Sequence, residues 1–429
     1  MGEAKMNETF VTNSINGINV HICQTNKFKY NLLSVYLKQR LDPCIVTTNS
    51  LLASVLRSGT VSYPTQLDLK RRLAELFGAH LSGYVFKRGE DHPLNFSLDI
   101  ANEEYLPNKD PSLFMNGVAV LRDVLLHPFL EHGSFSNTYI NQEKDILRQK
   151  IESIRDNKTQ FAMQRLIEEM FVGEPYALHP QGRMEDIEMI DSSSLYKYYF
   201  DLLRTAPIDI YFIGNHGDAL GKLQPLLAEL SDYSVKTRYQ PAPERQSKLI
   251  SRVNQKVEKT DIRQAKLDLG FRTGIYYTDD DYPALLLYNG ILGAFPHSKL
   301  FRTVREEANL AYYISSGLEP HKGLLFIQTG IDPEKYDQAL SIIKEQINLM
   351  CEGKVSAEEL LRTRKGIQNI LKEQQDDARS LIDTHYRGVI SGRHWSAAQL
   401  QKALDLVTIP DIVRVARLIS LDTIYLLRN

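Results

Sequence analysis

The sequence predicts an α+β protein of two similar halves, each a mixed or antiparallel sheet flanked by helices. Three observations carry this expectation. Strand-like and helical patterns alternate along the chain, the second half repeats the pattern of the first, and a polar stretch separates them near the middle. The 429 residues exceed what a single hydrophobic core usually organises, and 43% apolar with 24% charged residues suits globular domains rather than disorder or fibre.

The elements follow in order. Leu33, Val35 and Leu37 alternate as in a half-buried strand, and SLLASVLRSGT (50–60) reads as a helix closing at Gly59. Residues 79–87 and 93–100 read as hairpin-linked strands, which makes the sheet antiparallel or mixed with helices on one face. A long helical stretch covers 135–171, and KTRYQPAPERQSK (236–248) reads as a linker. Beyond it, Ala265, Leu267 and Leu269 mark a strand, Thr278-Asp-Asp-Asp281 the cap and first turn of a helix, and 333–376 a helical stretch broken near Gly353.

A shift of 231 residues carries Gly59 onto Gly290, Leu69 onto Leu300 and Leu73 onto Val304, preserving the i, i+4 spacing of a second helix. It also carries 77–105 onto 308–336 without a gap, each reading as strand, turn, strand and helix start. The upstream strands are one residue out of phase. The expected domains are therefore 1–235, a linker at 236–261, and 262–429. Two such halves facing one another make a cleft, and clefts between domains are where ligands tend to bind.

A net charge of −2 leaves no global electrostatic footprint for nucleic acid or for an acidic membrane. No run of about 18 apolar residues suggests a spanning helix, and MGEAKMNETF lacks a signal-peptide core, so a cytoplasmic location is expected. Cys23, Cys44 and Cys351 are odd in number and unclustered, as reduced thiols that pack as small hydrophobes would be.

The usual chemical signatures are missing. His127 and His132 lie five apart with Pro128 after the first, whereas two imidazoles on one helix share a metal at i, i+4; a loop joining two helices is the expected reading. Neither a Gly-rich phosphate loop nor a G-x-S-x-G elbow occurs. The acidic cluster 278–281 lacks the alternating oxygen ligands of a calcium loop.

Several segments, taken in order, resemble one family. In the first half they are Arg57-Ser-Gly59-Thr60, Gly78-Ala-His-Leu-Ser-Gly-Tyr84 and Gln142-Glu-Lys-Asp-Ile-Leu-Arg-Gln-Lys-Ile151. In the second half they are Ile291-Leu-Gly-Ala294, Ser298-Lys-Leu-Phe301 and Val304-Arg-Glu-Glu-Ala-Asn-Leu-Ala-Tyr312. Together they resemble the pitrilysin or insulinase-type zinc metallopeptidases over nearly the whole chain, a family itself built of two α+β halves. The finer resemblance is to small non-catalytic bacterial members associated with 5-aminopentanol modification of elongation factor P.

Active members carry H-x-x-E-H on a helix, two imidazoles holding Zn²⁺ and the Glu serving as general base. The resemblance places those three positions on Ser50, Ala53 and Ser54, and the family's third ligand, a Glu, on Lys150. No zinc-competent side chain stands at any of the four, so no metal, cofactor or catalytic residue is expected in this chain. Glu143, Asp145 and Glu152 lie near Lys150, and a shifted register would return a carboxylate there, but not the imidazoles or the base. Arg305 and Tyr312 keep the spacing of a family pair that holds the substrate backbone; the alternative is an Arg305 ion pair and a Tyr312 packed at a strand start.

The resemblance thus implies a non-catalytic peptidase-like subunit that pairs with a zinc-bearing homologue as a heterodimer and helps bind or process a peptide or protein substrate. Nucleic acid and membrane are not expected partners. The alternatives are a structural assembly subunit, like the core proteins of respiratory bc1 complexes, and an independent peptidase with a rearranged metal site.

Overall fold

A computed structural model describes residues 9–233 and 252–429. These divide into two compact units. One holds the chain up to Glu152 and from Leu178 to 233; the other holds Ser153–Ala177 and the chain from 252 on.

In the first unit β1 (Val11–Ile15), β2 (Ile18–Gln24) and β3 (Tyr30–Leu37) precede α1 (Val46–Val55) and α2 (Gln66–Glu75). The pair β4 (His80–Val85) and β5 (Leu94–Ala101) leads into α3 (Leu113–Leu126), the small hairpin β6 (Leu130–Glu131) and β7 (Ser134–Phe135), and α4 (Asn137–Asp156). After α5 (Lys158–Met170), which belongs to the other unit, come α6 (Ser192–Thr205), β8 (Ile208–Gly214) and α7 (Ala219–Asp232).

The second unit continues with β9 (Asn254–Lys259), β10 (Ala265–Arg272), α8 (Tyr282–Asn289), β11 (Ala311–Glu319) and β12 (Leu324–Ile331). It ends with α9 (Tyr336–Cys351), α10 (Ala357–Gln374), α11 (Ala378–Ser391), α12 (Ala397–Leu406), α13 (Ile409–Leu418) and β13 (Ser420–Arg428). Between α8 and β11 the chain makes two π-helical turns, Gly290–Ala294 and Phe301–Glu307.

Sheet topology supports the internal repeat. The first sheet runs β4-β5-β3-β8-β2-β1 and the second β11-β12-β10-β13-β9. In each, the two strands leading to the centre and the next one pair antiparallel, and the last shared pairing, β8 with β2 or β13 with β9, is parallel. β4 and β11 begin 231 residues apart, as the shift requires. The π-helical turn Phe301–Glu307 stands where α2 stands in the first half.

Both cores form on the face that alternation selects. Leu33, Val35 and Leu37 of β3, with Phe96 and Leu98 of β5 and Ile210 and Phe212 of β8, meet the apolar sides of α1, α3, α6 and α7. Ala265, Leu267, Leu269 and Phe271 of β10 do the same with α8, α9, α12 and α13. The break near Gly353 falls as expected: Gly353 takes a φ of 79 between α9 and α10, a left-handed position that suits glycine.

Four sequence expectations are corrected. The helical stretch 135–171 is two helices, because Asn157 caps α5 by accepting from the Gln160 amide at 3.2 Å. The first domain is not a continuous 1–235, since 153–177 pack with the second sheet; α5 lies on the face of β10 opposite its core, with Met170 over Gly270, so this sheet carries helices on both faces. The proposed linker 236–261 lies outside the described residues up to 251, and its last part is β9, an edge strand held by β13. Cys23 is buried and Cys351 half-buried, but Cys44 is exposed, so packing does not account for all three thiols.

The stretch around His127 is part loop and part hairpin, with His127 Nε2 2.5 Å from a Glu229 carboxylate oxygen and Nδ1 3.2 Å from Asp123. Asp281 stands at the N-cap of α8 without a capping side-chain bond; its carboxylate pairs with Arg414 at 2.5 Å instead.

In the second unit Arg272 of β10 and Asp422 of β13 form a buried pair at 2.8 Å, and the guanidinium also lies over Phe171 and reaches the Met170 carbonyl. Removing one member strands the other charge away from water. Asp422→Ala is expected to lower stability by roughly 3 kcal/mol in urea unfolding; a loss under about 0.5 kcal/mol would show that the pair contributes nothing.

Candidate functional site

α1 carries three of the four positions that the resemblance assigns to the metal. Buried nearly all round, it still presents Thr47, Asn49 and Ser50. A buried polar group costs free energy unless it is hydrogen-bonded, so these side chains need partners within the protein.

They find them in residues 178–186 and in His92. Thr47 Oγ1 accepts from the Arg183 amide at 3.0 Å and donates to Asp186 Oδ2 at 2.9 Å. Ser50, 5% exposed, donates through Oγ to Gln181 Oε1 at 3.0 Å. Asn49 Nδ2 donates to the His92 carbonyl at 3.0 Å and meets His92 Nδ1 at 3.1 Å, while Tyr198 donates to its Oδ1 at 3.3 Å.

His92 is fully buried, and its Nε2 lies 2.8 Å from the Pro180 carbonyl. A carbonyl only accepts, so Nε2 carries the proton and Nδ1 accepts from Asn49. Lys87 Nζ donates to the Leu178 carbonyl at 3.1 Å. Gly182 lies so close to α1 that a Cβ there would stand 2.5 Å from Thr47 Cα, and its φ of +86 is one that L side chains rarely adopt.

Burial sets the electrostatics of this corner. It pushes His92 down to about 4, with the Pro180 bond opposing and Lys87 assisting, and pushes His179 down to about 4 with help from Lys87 and His92. It raises the neighbouring Asp91 carboxyl to about 6. Both imidazoles are therefore neutral at pH 7.

The donor set does not fit zinc. Ser50 is committed to Gln181, Ala53 is a buried methyl, Ser54 is a half-buried hydroxyl and Lys150 is exposed on α4. The nearby carboxylates do not repair the set. Glu143 is buried and accepts from Ser58 Oγ and Gln66 Nε2, both at 3.0 Å; Asp145 pairs with Arg148 at 2.5 Å; Glu152 is exposed. Among the described residues no group of three or more His, Cys, Asp or Glu could hold a metal ion.

Arg305 and Tyr312 lie in the second unit, on either side of a left-handed turn at Asn309. Arg305 is exposed in the π-helical turn Phe301–Glu307, its guanidinium 4.5 Å from the Phe301 ring. No carboxylate pairs with it among the described residues; Glu307 goes to Arg302 at 3.4 Å. Tyr312 is 68% exposed at a bulge: Ala311 faces Ile331 and Tyr313 faces Gly330, which leaves Tyr312 as the extra residue. β11 is also the sheet's edge. The alternative of an Arg305 ion pair and a packed Tyr312 is not what the structure has. π-turns and bulges are both frequent beside functional sites.

Sequence reasoning missed His92, His179 and Gln181. The turn signal of Pro180 and Gly182 was the available hint.

The fold is that of the pitrilysin-type metallopeptidases. Comparison with known proteins gives the same answer. A family model for the peptidase M16 inactive domain matches residues 190–367. The chain is similar to "Probable inactive metalloprotease YmfF" of Bacillus subtilis, 36% identical over 422 residues and 96% of each chain. It is similar to the crystal structure of a conserved protein from Enterococcus faecalis, with a TM-score of 0.89 and 29% identity over 98% of this chain and 99% of that one. A peptidase M16 inactive-domain structure from Pseudomonas fluorescens matches in fold, with a TM-score of 0.79 and 16% identity over 98% of each. The chain belongs to the peptidase M16 family.

The two depressed imidazoles make the first unit acid-sensitive. Each is neutral when folded and titrates near 6.5 when unfolded, so stability is full above that value and falls as pH drops from about 6.5 toward 4. Asp91 acts in the opposite sense, favouring the fold below about 6. His92 is expected to account for about 2 kcal/mol lost between pH 7.5 and 5.0. In urea unfolding, His92→Gln should lose less than wild type over that interval; an equal loss in both would clear His92.

Proposed function

We propose that this chain is a non-catalytic M16 subunit that pairs with a zinc-bearing homologue and helps bind or process a peptide or protein substrate. The observation that carries this reading is the donor set on α1 and α4. Where active relatives hold and use zinc, this chain has two hydroxyls, a methyl and an ammonium, and one of those hydroxyls is tied into the fold. Meanwhile Arg305 and Tyr312 stay exposed, with no carboxylate on the guanidinium among the described residues. A guanidinium fork and a phenol can both donate to peptide carbonyls, so they suit holding a substrate backbone beside chemistry supplied by another chain.

The zinc, in this proposal, sits in the partner only. The reading includes a cytoplasmic setting; among the described residues no helix is long and apolar enough to cross a membrane. It also includes a link to 5-aminopentanol modification of elongation factor P, which rests on overall resemblance. An unchanged mass of elongation factor P in a strain lacking this chain would remove that link.

The purified chain alone should contain no stoichiometric zinc and cleave no peptide. Mixed with a homologue carrying H-x-x-E-H, it should form a heterodimer with peptidase activity. Arg305→Ala and Tyr312→Phe should each cut that activity about tenfold, the equivalent of one lost hydrogen bond. Stoichiometric zinc in the lone chain, or unchanged turnover in both variants, would overturn the corresponding part of the proposal.

A further inference from the structure

Most of the residues that satisfy the polar side chains of α1 come from one short segment, with His92 and Tyr198 added at Asn49. Thr47 and Ser50 are taken by Arg183 and Gln181, and Asn49 is joined through His92 to Pro180. The segment is itself braced. His179 Nδ1 accepts from the Gln181 amide at 3.1 Å, the Gly182 amide donates to the His179 carbonyl at 2.9 Å, and Arg183 grips Asp186 with two bonds of 2.9 Å. Lys87 holds its start at Leu178. Gly182 lets the backbone lie against Thr47 closer than any side chain would permit.

We infer that residues 178–183 form a latch that closes the N-terminal part of α1, with the Gln181 amide occupying the space that a metal-binding side chain at position 50 would need. This rests on the reading of Ser50, Ala53 and Ser54 as the former metal positions, and it goes beyond loss of ligands. The cradle has been rebuilt around a hydrogen-bonded plug, so restoring the ligands does not restore the site. An imidazole at position 50 is larger than the serine it replaces, and Ser50 is almost without exposed surface. It would meet Gln181 before it met an ion.

The test compares zinc binding, by calorimetry and by metal content after gel filtration, in two full-length variants. One carries Ser50→His, Ala53→Glu, Ser54→His and Lys150→Glu; the other adds Gln181→Ala. The latch predicts zinc affinity at least tenfold tighter in the second. Equal tight binding in both overturns the inference by showing that Gln181 blocks nothing. Absence of binding in both overturns it as well, and does so by showing that these positions do not form a metal cradle.

Should the multiple variants fail to fold, Gln181→Ala alone decides through amide hydrogen exchange. Exchange in α1 should rise at least tenfold while β3 stays unchanged, and unaltered exchange in α1 refutes the latch.

Discussion

A helix buried on nearly every side must have its polar side chains satisfied from within the protein. α1 is such a helix, and Thr47, Asn49 and Ser50 are the groups that require it. Hydrogen bonds from 178–186 and His92 meet that requirement. Burial also holds two imidazoles of this corner neutral.

The fold of each half does not depend on the positions that the resemblance assigns to the metal. Each sheet is specified by its alternating apolar strands and the helices laid over it, on one face in the first unit's core and on both faces of the second sheet, and these bear no relation to the identity of residues 50, 53, 54 or 150. The two halves have meanwhile diverged in local geometry. Where the first half has a regular α2 capped by Thr65, the second has a π-helical turn, a left-handed Asn309 and a bulge at Tyr312. Wide turns and bulges re-aim side chains and interrupt pairing, and here they leave Arg305 and Tyr312 facing solvent.

Much of the architecture was legible in the chain. Leu33, Val35 and Leu37, and Ala265, Leu267 and Leu269, alternate because one face of each strand meets apolar helices, and that pattern needs no three-dimensional information. The break at Gly353 was legible for a similar local reason. The ownership of α5 was not: its amphipathic pattern runs on from α4 almost without interruption, and tertiary contacts such as Met170 above Gly270 and Arg165 with Glu258 show which sheet it covers. β9 was hidden because NQKVEK is a charged edge strand, and edge strands carry little of the alternation that marks buried ones.

By itself, then, the sequence determined that two α+β halves form, because that depends on residue type and spacing, and the family resemblance assigns the metal positions to residues without zinc-binding side chains. Tertiary structure alone decided what satisfies the polar side chains of α1. Gln181 lies 131 residues from Ser50 and His92 lies 88 from Pro180. Nothing in local pattern joins such positions, since a buried donor is satisfied by whichever acceptor the fold brings within about 3 Å.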